Sequence, residues 1–131
     1  MRLTDWHERM WQVINAHSEK KFNYGELDCC IFSARVVDAM CGTEHEKLLC
    51  QNYSDENTAR AYIEKYDGLE NAVSEYIGQS KVGRAQRGDV VMFKGANGDT
   101  LGVCVGSSIA SVYDDGVVFV PRNFAICHWS I

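Results

Sequence analysis

The residues with the strongest chemical potential lie between Phe22 and Arg35, in the run Phe-Asn-Tyr-Gly-Glu-Leu-Asp-Cys-Cys-Ile-Phe-Ser-Ala-Arg. A loop carrying Tyr24-Gly25 feeds into a segment with helical periodicity, in which Asp28 is the expected N-cap and Cys29 the first helical residue. A thiol at that position meets unpaired backbone N–H groups and the positive end of the helix dipole, which favour the thiolate nucleophile. The same N–H groups could hold the oxyanion formed when a carbonyl is attacked. Asp28 opposes the first effect, because a neighbouring negative charge disfavours ionisation. The plain alternative is a core cysteine, since cysteine is among the residues most often buried.

A nucleophilic thiol needs an imidazole to take its proton and return it to the leaving group. Four histidines are available. His7 and His17 lie on a helical stretch upstream of Cys29, with His17 on its apolar stripe. His45 falls among Glu44 and Glu46 in a polar segment expected to be solvated. His128 lies in a terminal strand where Cys127, Trp129 and Ile131 alternate with Ile126, His128 and Ser130, so an inward aromatic face would turn His128 outward. It is the substitute base that alternation leaves open, and a poor one.

Other constellations are weaker. Cys41-x3-His45-x4-Cys50 supplies three metal-type ligands, but a structural zinc site takes four, in tighter pairs. Adjacent Cys29-Cys30 is not a Cys-x-x-Cys redox motif. No metal or other cofactor is therefore expected. Asp89, beside Gly88, reads as a turn cap more readily than as a catalytic acid.

The elements that must position these residues change character halfway along the chain. Leu3 to His17, Asp28 to Cys41 (stopped by Gly42), Ser54 to Tyr66 and Leu69 to Ile77 carry apolar residues at three-to-four spacing. From Asp89 the period changes to two: Asp89–Lys94, Thr100–Gly106, Ile109–Tyr113, Val117–Val120 and Ala125–Ile131 read as five short strands joined by Gly- and Asp-rich turns. Helices followed by a strand meander imply a single α+β domain over residues 1–131 with an antiparallel sheet.

Composition narrows the function. The chain has 131 residues, 46% hydrophobic and 24% charged, with a net charge of −5, so neither disorder nor a polyanion-binding surface fits, and no nucleic-acid partner is expected. No apolar run approaches the ~20 residues of a spanning helix, and the polar N-terminus does not read as a signal peptide. The six cysteines are thus expected as free thiols in a reducing compartment, the cytoplasm where the chain is made. Virion association would leave no such mark.

Tyr24-Gly25-x-x-Asp28-Cys29 resembles the nucleophile motif of the NlpC-type cell-wall peptidases, small papain-like enzymes. Arg87-Gly-Asp-Val-Val-Met-Phe93 resembles the Gly-Asp-hydrophobic strand of that family, and Thr100-Leu-Gly-Val-Cys-Val-Gly106 its next strand, usually His-Val-Gly-Ile-Tyr-Leu-Gly. The likeness covers about residues 20 to 110. It is closer still to short proteins encoded by phages and prophages, often among tail genes, which share these motifs and a terminal aromatic strand, here Cys127-His-Trp-Ser-Ile131. The resemblance implies a papain-like fold with Cys29 as nucleophile, Tyr24 lining the site, and cell-wall peptide or phage structural proteins as partners. It also implies two departures: Cys30-Ile31 replaces the usual Ser-Gly, and Thr100 stands where the general-base histidine belongs. Threonine cannot serve as that base, so the balance falls on a non-catalytic relative that binds, ahead of an active thiol hydrolase.

Overall fold

The computed structural model describes residues 2–131. Five helices come first: α1 (Trp6–Ala16), α2 (Cys29–Cys41), α3 (His45–Cys50), α4 (Glu56–Lys65) and α5 (Leu69–Ile77). Five strands follow: β1 (Val90–Gly95), β2 (Gly98–Cys104), β3 (Ser108–Tyr113), β4 (Gly116–Pro121) and, after a single 3-10 turn, β5 (Ala125–Trp129). They form one antiparallel sheet in the order β4-β3-β2-β1-β5. The meander uses two-residue turns after Gly95 and Tyr113, and the chain then crosses back so that β5 pairs with β1. The architecture is α+β, as the change of hydrophobic period implies.

Local chemistry accounts for the helix ends. The Asp28 side chain accepts the N–H of Ile31 at 2.8 Å, and Gly42 closes α2 in the left-handed region at φ 72°. Asp55 and Thr58 form a reciprocal capping box at the start of α4. Helix α3 is an element the periodicity did not suggest, and it corrects the solvated loop expected around His45. Its cap is remote in sequence: Asp38, on α2, accepts the N–H groups of His45 at 2.8 Å and Glu46 at 3.0 Å.

The sheet has two unlike faces. Val90, Met92, Leu101, Val103, Ala110, Val112, Cys127 and Trp129 turn toward the helices and pack on Phe32, Val36 and Met40 of α2 and Met10 and Ile14 of α1. Trp129, Phe32 and Met10 are fully buried, each contributing about 1.5–3 kcal/mol of apolar transfer. The alternate residues Val91, Phe93, Cys104 and Ile109 form a smaller cluster on the other face, closed by Ala85 from the α5–β1 connection. That connection also pairs with β5, where Lys81 and His128 exchange both backbone hydrogen bonds.

Candidate active site around Cys29

Cys29 opens α2 behind a loop whose shape is fixed by close packing. Gly25 has φ +86°, and a Cβ there would lie 2.1 Å from the carbonyl oxygen of Ser54, so the loop tolerates only glycine. The same approach brings Tyr53 to the cap. Asp28, 2% exposed, accepts hydrogen bonds from Ile31 N (2.8 Å), the Tyr53 hydroxyl (2.8 Å) and Gly25 N (3.3 Å). With three donors on it, Asp28 is committed to holding the loop, the helix start and the segment after α3 together. Burial above all, with the charge of Asp28 beside it, pushes the Tyr53 phenol far above its ordinary value, so it stays a donor.

Cys29, Cys30, Ser33, Ala34 and Val37 form one stripe of α2 and line a cavity of about 300 Å³ closed by α3, α4, α5 and the β1–β2 hairpin. Tyr24 stands at the same cavity, edge-on to Phe22 at 4.9 Å between centroids, its phenol shifted upward chiefly by burial. Hydrogen bonding to Cys29, then burial, then the charges of Cys29 and Asp28 hold the Cys30 thiol well above its ordinary value. Cys30 is therefore a neutral thiol at physiological pH. By helix geometry the first-turn N–H groups of Cys29 and Cys30 have no intrahelical acceptor, which keeps an oxyanion-type site open beside the thiol.

Of the four histidines, His45 alone lines the cavity with them. Exposed His7 packs edge-on to Trp6 on α1. His17 is buried at the end of α1 with both ring nitrogens occupied: Nδ1–H donates to the Val13 carbonyl at 2.7 Å, and Nε2 accepts from Arg35 at 2.8 Å. These partners fix the neutral tautomer, and burial lowers its pKa from the ordinary value. His45 does line the cavity, but its backbone is tied to Asp38, nine residues or about 13 Å along α2 from Cys29.

His128 lies on the other side of the sheet, as alternation placed it relative to Trp129. The expectation that it faces out is corrected: it is 6% exposed, because residues 78–89 cover that face. Its Nε2 is 3.9 Å from Asp89 Oδ2, and its Nδ1 is enclosed without a hydrogen-bond partner. Asp89 caps its turn by accepting Gln86 N at 2.8 Å and also meets Arg2 at 3.5 Å. Thr100 is on this far face too. Its hydroxyl donates to the Gly98 carbonyl at 3.0 Å and it borders a groove with Phe93 and Tyr113, whereas its neighbours Asp99 and Leu101 line the Cys29 cavity. The position expected from the NlpC-type resemblance to hold a base thus lacks an imidazole and also points away from the thiol.

Several cavity residues carried no sequence signal of their own. Ser33 could have been found by adding four to Cys29 along the helix. Tyr53, Tyr62 and Tyr76 come together only through tertiary packing, the last two sharing a hydroxyl hydrogen bond of 2.7 Å. All six cysteines are free thiols, and no group of three or more His, Cys, Asp or Glu side chains able to hold a metal ion occurs among the described residues. Among those residues, too, no helix is long and apolar enough to cross a membrane.

Fold and site together define an α+β domain in which a thiol opens a helix beside a half-open, largely apolar cavity. The chain belongs to the family described as "Domain of unknown function (DUF6950)", whose profile matches residues 1–131. No curated protein matches it.

Proposed function

We propose that this chain is a papain-like domain of the NlpC type that acts by binding, with its hydrolytic machinery incomplete, in the assembly of a phage-type particle or tail. Three features support the papain-like reading: a thiol-bearing helix packed on an antiparallel sheet, helices preceding strands, and the Tyr-Gly-x-x-Asp-Cys and Gly-Asp-Val-Val motifs in matching order. The phage setting rests on the likeness to short tail-region proteins. The observation that carries the non-hydrolytic part is that His17 is saturated and His128 is across the sheet, while His45 on α3, which lines the cavity, makes no hydrogen bond to Cys29 among the described residues. Without a base, thiol attack on an amide has no route for its proton.

One observation favours the second reading, a cysteine hydrolase acting on cell-wall peptides. Cys29 is half-buried, lines the cavity and keeps the free N–H groups of a helix start. Iodoacetamide labelling at about pH 6, resolved by peptide mapping, separates the two. The binding reading expects Cys29 in the folded chain to react no faster than cysteines of the urea-unfolded chain. Acceleration of Cys29 above the unfolded rate, with cleavage of a cell-wall peptide that Cys29→Ala abolishes, would establish the hydrolase instead.

A further inference from the structure

The cavity beside α2 contains polar atoms that the fold leaves unanswered. Ser33 is 3% exposed, its hydroxyl has no hydrogen-bond partner, and it lies on the cavity stripe one turn beyond Cys29. Nδ1 of His45, on the adjoining α3 wall, is also enclosed and unpartnered. A buried hydroxyl without a partner costs roughly 1–3 kcal/mol, and such exceptions call for an explanation. Much of the remaining wall is apolar and aromatic, with Ala34 and Val37 from α2, Ala72, Val73 and Tyr76 from α5, and Tyr62 from α4, and the His45 ring edge-on to Tyr76 at 6.0 Å; Arg60, Glu64 and Asp99 add charge to the lining.

We infer that this cavity is a binding site for a non-anionic aromatic ligand of about two fused rings, carrying one hydrogen-bonding group that Ser33 and His45 receive. The inference rests on the binding reading given above and specifies what is bound. Size follows from volume: about 300 Å³ is twice the roughly 150 Å³ of an apolar cavity that takes up benzene. The ring character follows from the tyrosine and histidine edges, which favour T-shaped contact. An anion is disfavoured by the charges. Asp28, Glu64 and Asp99 line the same cavity, and Arg60, the cation at its rim, is bound to Glu56 at 2.8 Å, so it is not left to pair with an anionic ligand.

Titration of the isotope-labelled full chain with naphthol, naphthalene and naphthoate, followed by amide chemical shifts, tests the assignment. The expected result is saturable naphthol binding that shifts α2 and α5 amides, weaker naphthalene binding, and none by naphthoate. Ser33→Ala is expected to weaken naphthol about fivefold and leave naphthalene unchanged. Ala72→Phe, checked for a native amide spectrum, is expected to abolish both by filling the space. N-acetyltryptophanamide, run in parallel, distinguishes a free ring from one borne on a partner's backbone; binding by either supports the ring chemistry. Absence of saturable shifts with both ring probes, equal affinity for naphthoate, or indifference of naphthol to Ser33→Ala would each overturn it. An unreactive Cys29 combined with no ring binding defeats the ligand class alone, whereas a hyper-reactive Cys29 defeats the binding-only reading and leaves the titration result standing.

Discussion

Two buried aspartates mark the two faces of the sheet, and their surroundings differ in kind. Asp28, on the helix side, is 2% exposed and accepts three hydrogen bonds from separate segments. Asp89, at the start of β1, is 3% exposed yet has one short hydrogen bond, to Gln86 N, and two looser approaches, from Arg2 at 3.5 Å and His128 at 3.9 Å. The saturated carboxylate lies next to the thiol and the unsaturated one next to an imidazole. In a working thiol hydrolase thiol and imidazole share one site; here the sheet stands between Cys29 and the imidazole of His128. Possession of the right residue types therefore says little until the face each one occupies is known.

Replacing the aspartates tests that contrast most strongly. Asp28→Ala removes the α2 cap and strands the Tyr53 hydroxyl and the Gly25 N–H, a loss of roughly 3 kcal/mol in denaturant unfolding. Asp89→Ala strands one backbone N–H, while Arg2, whose side chain is 22% exposed, can turn to water; the expected loss is about 1–2 kcal/mol. If Asp89→Ala costs as much as Asp28→Ala, the two carboxylates are equivalent and the contrast collapses.

The buried histidines sharpen the comparison by a smaller effect. His17 has both nitrogens matched in the neutral state, and its pKa is lowered, first by burial and then by the nearby charges of Arg35 and Lys20, against the pull of the Val13 carbonyl and Glu46. Below the ordinary histidine value of 6.5 the unfolded chain takes up a proton that the folded chain refuses. The stability from neutral His17 is thus complete above that value, and is lost as pH falls from it toward the depressed folded value. Urea midpoints measured from about pH 7.5 to 5 should decline through this window, and His17→Gln should flatten the decline. An unchanged pH slope in the variant would show that His17 is not the group responsible.

What was legible in the sequence follows the range of the forces involved. Asp28, Gly42 and the Asp55 cap act on residues three or four positions away, so the helices they bound could be read directly, as could strands set by a period of two. Helix α3 could not, because its cap comes from Asp38 on α2. Alternation put His128 and Trp129 on opposite faces but could not foresee the 78–89 connection that buries His128. Cys29 was legible at a helix start; the cavity beside it, built from α3, α4 and α5, was not.

Thr100 gives the finest test, because the expected effect is none. The resemblance to NlpC-type peptidases sets it where those enzymes carry their base, so Thr100→His restores that residue type on paper. In the fold, strand alternation carries position 100 to the groove bordered by Phe93 and Tyr113, while Asp99 and Leu101 face the thiol's cavity. An imidazole introduced there would meet the far side of the sheet. Cys29 alkylation in Thr100→His should therefore match the parent chain at every pH, and no cell-wall peptide should be cleaved. A rise in Cys29 reactivity in this one variant would mean that position 100 reaches the thiol. The register of β2 would then have to differ by one residue, since a shift of one is what moves a side chain from one face of a sheet to the other.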